Sequence, residues 1–441
     1  MKQVLLVALV LLASPALAQS DSTPRAPRLD FPLLDAPYNL EHGGRAPSMQ
    51  QALAVTEGFY EASHLGIQRV WGDQKLLAKL SILTWDLLTI AVPGADAWVH
   101  EEYHRAVLGR RGIASHNDVY ALDLSAEAIA VSHVRDEDLV RLKRDHPAEQ
   151  VRLSSAGMEA ELHLVQELER NRFFGRSRAW NLPTYWLVKL GTAGYLFSGS
   201  DAEVDADIDE FNDRDGDDVD ARDFTGHDFT AWVYDLHRPD EAYTARGTHP
   251  SGVGIDRYIK TTDLTPDELK YLERQSVLHA LNFLDPFMYG INGIRATNPL
   301  NGRPMRVNAR AGHMLTPFGH TVDANLLLRQ GALNLSVALR GYANGERSFP
   351  GIEAEVLDYP LRGTRLTVSP RLALWMQPEG QRFRSTRGVP GALASVRVHR
   401  PLDRRFGTFA ELEGKSAGWV LGNANLDAGF SFRVGGSVML R

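Results

Sequence analysis

His100, Glu101, Glu102, Tyr103 and His104 form an HExxH string. On a helix that spacing puts two imidazoles one turn apart on one face, where both can bind a single Zn²⁺. The intervening Glu101 is then placed to take a proton from an attacking water. A competing reading makes them surface or packing histidines of an amphipathic helix, since 15 histidines in 441 residues can produce such a string by chance. The chain has no cysteine, so disulfides and thiolate ligands are excluded and histidine and carboxylate remain as the strong metal-binding groups.

The elements that must position this string are mainly helical. The motif helix is expected from about Asp96 and ends where Gly109, Arg110, Arg111 and Gly112 combine glycine with cations suited to a negative helix end. Before it, Ser48 and Gln51 form a capping box that opens a helix to about Ser63, and a second helix fits Lys75 to Ala91. Leu76 to Val99 is the longest apolar stretch beyond the N-terminus, but Lys79, Asp86, Pro93 and Asp96 interrupt it. That pattern favours a buried helix over a membrane span. Further helices fit 125–131, 136–143, 154–170 and 183–197, and Thr265, Pro266 and Glu268 open one that runs to about Phe283.

A catalytic zinc needs a third protein ligand from another element. The helix over 154–170 offers two candidates. Glu161 falls among Met158, Leu162, Val165 and Leu168 on the apolar face, where a carboxylate needs a partner; Glu159 lies beside the face of Ala156, Ala160 and His163. Ala156, Gly157 and Ala160 are small enough for this helix to approach the motif helix closely. Asp86 and Asp96 are either carboxylates that orient the imidazoles or solvated helix-start acids. His227, His237 and His249 share an irregular stretch with Tyr234 and Tyr243, as possible oxyanion donors or ordinary loop residues.

This arrangement resembles the gluzincin group of zinc metallopeptidases, in which HExxH supplies two ligands and a glutamate on a later helix the third. The resemblance is confined to these two helices. It implies His100 and His104 as ligands, Glu101 as general base, Glu161 or Glu159 as the remaining ligand, and hydrolysis of a peptide bond as the reaction. Glu102 departs from the group's pattern, in which the residue after the base is uncharged, and Arg105 directly follows the motif. An exposed, salt-bridged helix would account for that pair.

The first residues have the features of an export signal: Lys2, an apolar run from Val4 to Leu12, and the small-residue site Ala16-Leu17-Ala18. A signal peptide over 1–18, an extended lead-in over 19–47 and a Gram-negative periplasmic or outer-membrane location are expected. The helical domain would span 48–300. Its stretch 201–223 holds twelve acidic residues and is expected to be a loop, with Asp213 to Asp218 as a possible Ca²⁺ site or simply a solvated run.

After Asn301 the apolar period changes to two. Phe430, Phe432, Val434, Val438 and Leu440 alternate with Ser431, Arg433 and Ser437, and about eight such strands fill 301–441. The fold class expected is therefore α+β, a helical N-terminal domain followed by an antiparallel β-barrel. Even-numbered, long and alternating strands resemble a small outer-membrane barrel, with Arg340, Arg371, Glu411 and Glu413 inside and leucines and valines toward lipid. The alternative is a soluble barrel or sandwich with its apolar face inward. No basic nucleic-acid stripe, phosphate-binding glycine loop or GxSxG elbow occurs, so nucleic acid, nucleotide and serine-hydrolase functions have no foothold. A zinc peptidase acting on peptide or protein and tethered to the outer membrane is the leading expectation. A non-enzymatic envelope scaffold whose helical domain binds a partner is the alternative.

Overall fold

The computed structural model describes residues 27–41, 46–91, 94–121, 130–216 and 218–440. The expected signal peptide, most of the helix at 125–131 and Asp217 lie outside the described residues.

Among the described residues, nine helices of two turns or more lie ahead of the C-terminal strands: α1 (Met49–Trp71), α2 (Lys75–Ala91), α3 (Ala95–Gly109), α4 (Asp136–Asp145), α5 (Pro147–Phe174), α6 (Leu182–Ser198), α7 (Val204–Asp215), α8 (Asp228–His237) and α9 (Pro266–His279). Both capping boxes form. Ser48 caps the backbone of Gln51 at the start of α1, and Thr265 does the same for Glu268 at α9. Two helices were not expected. The acidic stretch is largely helical as α7, because Val204 and Ile208 lie one turn apart and pack on Tyr258 beneath the acids. Helix α8 forms because Phe229, Trp232, Val233 and Leu236 fall on one face and are fully buried.

The eight expected strands are all present: β3 (Pro304–Thr316), β4 (Gly319–Gln330), β5 (Leu333–Ala343), β6 (Ser348–Val356), β7 (Thr367–Pro378), β8 (Gly388–Pro401), β9 (Phe406–Lys415) and β10 (Gly429–Met439). They run as an antiparallel meander. Two more strands extend it: β1 (Arg28–Ala36) pairs with β10, and β2 (Ile294–Thr297) pairs with β3. Arg28–Ala36 of the expected lead-in is thus part of the sheet, and its Pro32 sits at a register shift on an edge strand, where a missing N–H costs little.

Among the described residues the sheet has eleven strands, counting the two-residue Tyr359–Pro360 beside β7, and it is not closed into a barrel. The expected closure is absent: the edge strands are β1 and β2, with β1 packed on α1 and β3, the neighbour of β2, packed on α5. Its polarity is inside-out for a water-soluble sheet. Along β9, Glu411 and Glu413 are 7% and 5% exposed while Leu412 between them is 60% exposed, and on β10 Phe430 is 87% exposed. Inward, Arg433 bonds Glu411 (2.5 Å), Glu413 (3.1 Å) and Asp35 (3.3 Å), and Arg371 bonds Glu353 (2.9 Å). Helix α5 joins this network through Arg170 to Glu355 and Glu169 to Arg310. Burial pushes the carboxyls of Glu353 and Glu411 up, but the adjacent arginines outweigh it and hold each at about 2.

The apolar exterior continues past the sheet. Leu33 of β1 and Leu76, Leu80, Leu87 and Leu88 of α2 are exposed, so α2 is not the buried helix its composition suggests. No helix among the described residues is long and apolar enough to cross a membrane.

Candidate metal centre

Helix α3 is buried from Val99 to Leu108, with Val99, Tyr103, Ala106 and Val107 in the main helical core. Its charged residues must therefore find partners inside the fold. Glu102, the residue out of keeping with the resemblance, does so through one oxygen: its Oε1 accepts from Arg105 (2.6 Å), Asn117 Nδ2 (2.9 Å) and the Tyr120 hydroxyl (3.0 Å). The salt-bridged pair is real, but it is buried on the side of α3 away from the histidines and not an exposed surface pair.

Helix α5 crosses the histidine side, and three of its residues spaced four apart meet the motif. The Leu153 carbonyl accepts from Nδ1 of His104 (2.5 Å), Gly157 leaves room for the His100 ring, and Glu161 accepts from Nδ1 of His100 (3.0 Å). A Cβ at 157 would lie 2.0 Å from His100 Nε2, so no other residue fits without moving the ring. With both Nδ1–H groups engaged, both Nε2 atoms face the same point.

The third group at that point is Asp228, the first residue of α8. Its Oδ2 lies 3.1 Å from His100 Nε2 and 3.3 Å from His104 Nε2. These three buried residues form the one group among the described residues in which three metal-binding side chains converge. Asp228 is fixed from behind by its own backbone N–H, which donates to the Tyr195 hydroxyl at 3.2 Å.

The two glutamates expected as third ligand do not join this group. Glu161 holds His100 by the far nitrogen and itself accepts from the Thr192 hydroxyl (2.6 Å). Glu159 faces the β-domain, where it accepts from Arg152 (2.8 Å), Trp419 Nε1 (3.1 Å) and the Gly422 N–H (2.7 Å). Each satisfies the partner requirement of a buried carboxylate by a different route from the one expected. Asp86 bonds His64 (2.7 Å) and Thr184, remote from the motif, whereas Asp96 accepts from Tyr60 (3.2 Å) and lines the site. His227 also lines the site; His237 stacks on Phe383, His249 bonds Ser251, and Tyr234 and Tyr243 flank Arg246.

Asp228 had a legible signal in the spacing of Phe229, Trp232, Val233 and Leu236 behind it. An acid at the first position of a helix suits the dipole. The signal is masked because the cap is His227, an unusual capping residue that accepts from the Phe229 N–H.

These residues open into a cleft of about 520 Å³. Its electrostatics suit a cation. Burial pulls the pKa of His100 down, but Asp228 and Glu161 outweigh burial and raise it well above the ordinary value. Burial also works to raise Asp228, yet His104 and His100 hold it well below the carboxylate range. The groups that favour a proton on His100 would equally favour a divalent cation between the imidazoles. Glu101, whose carboxyl burial pushes up to about 7, lines the same cleft. Two imidazoles and one carboxylate, with open space beside them, are a donor set that could hold a divalent metal ion.

No comparable group forms in the acidic stretch among the described residues. Asp223 there pairs with Arg214 at 2.7 Å. No family model, curated protein or solved structure matches the chain.

Proposed function

We propose that this protein is a zinc-dependent metallopeptidase of the bacterial envelope, with its catalytic helices held at the outer membrane by the β-domain. The observation that carries the reading is the convergence of His100, His104 and Asp228 in a cleft that also holds Glu101. Zinc bound by those three side chains would supply a Lewis acid for the scissile carbonyl and acidify a water. Glu101 takes the proton from the attacking water and delivers it to the departing amine. Glu161 and the Leu153 carbonyl keep the imidazoles aimed, while Tyr195, whose oxygen accepts from Asp228, has its hydroxyl proton free to donate into the cleft.

The inside-out sheet supports the membrane half of this reading. Isolated apolar side chains are common on protein surfaces, but alternate positions on successive strands with ionised groups beneath them make a continuous apolar exterior. At one end of the sheet the edge strand β1 packs on α1.

The test is metal analysis and proteolysis on detergent-purified protein. About one zinc per chain is expected, lost in His100→Ala, with Glu101→Gln keeping zinc but not cleaving casein or a mixed peptide library. Folded protein that binds no zinc and is indifferent to His100→Ala refutes the proposal.

A further inference from the structure

The wall of the cleft carries information about what enters it. Helix α7 has three faces. Val204 and Ile208 turn into the small core around Tyr258. Asp205 accepts from the backbone N–H and hydroxyl of Thr261 (2.6 and 3.0 Å), and Asp209 pairs with Lys260. On the remaining face Glu203 and Asp207, one turn apart, line the metal cleft together with Asp201 and Phe211. Glu203 and Asp207 have no cationic partner among the described residues, and no Lys or Arg lines the cleft.

A second observation is independent of these acids. Thr225 and His227 line the same cleft and are only 6% and 5% exposed, and Thr225 Oγ1 and His227 Nε2 have no hydrogen-bond partner. Because His227 Nδ1 accepts from the Phe229 N–H, the ring hydrogen sits on Nε2, which is a donor. Buried polar atoms left unmatched on a cleft wall are placed to be matched by a ligand.

We propose that the cleft binds basic polypeptide, with a Lys or Arg side chain flanking the bond to be cut. The peptide backbone meets Thr225 and His227. The cationic head reaches Glu203 and Asp207, and its aliphatic stem lies along Phe211. The chemistry of cleavage rests on the metallopeptidase reading; the selectivity does not.

Two readouts keep these apart. Zinc-loaded protein is assayed with fluorogenic peptides that differ in one residue beside the scissile bond, Lys, Arg, norleucine or Glu. The same labelled peptides are titrated onto Glu101→Gln by fluorescence anisotropy, which reads selectivity without turnover. The Lys and Arg peptides are expected to exceed norleucine by about ten-fold in both kcat/KM and affinity, with Glu weakest. Glu203→Gln combined with Asp207→Asn should bring the Lys-to-norleucine ratio to within about two-fold, and its zinc content reports whether the cleft is intact. A flat ranking in the anisotropy series, or no peptide bound at all, overturns the inference. Lys and Arg selectivity in binding without any hydrolysis would overturn the peptidase reading and leave this one standing.

Discussion

Three carboxylates near the HExxH string make different predictions when neutralised. Asp228 meets both Nε2 atoms, Glu161 meets only the far nitrogen of His100, and Glu159 meets Arg152 on the other side of α5. A four-ligand structural zinc site contributes about 10–16 kcal/mol, so one ligand is on the order of 3 kcal/mol. Asp228→Asn should therefore weaken zinc by roughly two orders of magnitude. Glu161→Gln keeps an acceptor for His100 but loses its charge, which places it near the lower end of outer-shell effects, about ten-fold. Glu159→Gln should leave zinc affinity unchanged and lower stability by about 3 kcal/mol, because the Arg152 guanidinium, fully buried, loses its counter-charge. Competition against a chromophoric chelator measures the affinities, and urea titration the stabilities. If Glu161→Gln costs more zinc affinity than Asp228→Asn, the ligand assignment is wrong, and unchanged affinity in Asp228→Asn would refute it outright.

Gly157→Ala should lose most of its zinc, since the added methyl group occupies the space of His100 Nε2; normal zinc content with an unshifted Tm would contradict the close approach of α3 and α5. Leu412→Arg should reduce partition into liposomes at a cost of about 2–4 kcal/mol if that face meets lipid, whereas a soluble fold would tolerate the exposed arginine. Glu411→Leu, by contrast, leaves Arg433 and Arg397 short of a counter-charge and should lower stability by about 3–5 kcal/mol in urea titration. Acid should also weaken the contribution of particular buried groups to the fold. Burial lowers His279 and His320 to about 4 from 6.5, so the unfolded chain binds more protons between those values. Their contribution is complete above pH 6.5 and disappears as pH falls through 4. Glu353 and Glu411, at about 2 against 4.5, add a further loss from 4.5 downward. An NMR titration that places either imidazole at 6.5 would contradict the buried neutral histidines.

Local signals in the chain determined most of the elements. The capping boxes at Ser48 and Thr265, the stop after Gly109 and the period-two alternation beyond residue 301 each act over a few residues, and each marks an element that forms. The HExxH spacing likewise determined that His100 and His104 share a face, because helical geometry alone puts residues four apart together. Tertiary structure decided the rest. The partner of each buried carboxylate on α5 depends on which helix or loop crosses it, so Glu161 and Glu159 looked alike as candidates until α3 took one and the loop around Trp419 and Gly422 the other. Asp228, 124 positions beyond His104, reaches the site through the docking of α8 on α5. The sheet's closure was equally non-local. Alternation fixes which residues share a face, but only the tertiary placement of the edge strands β1 and β2 decides whether they pair with each other.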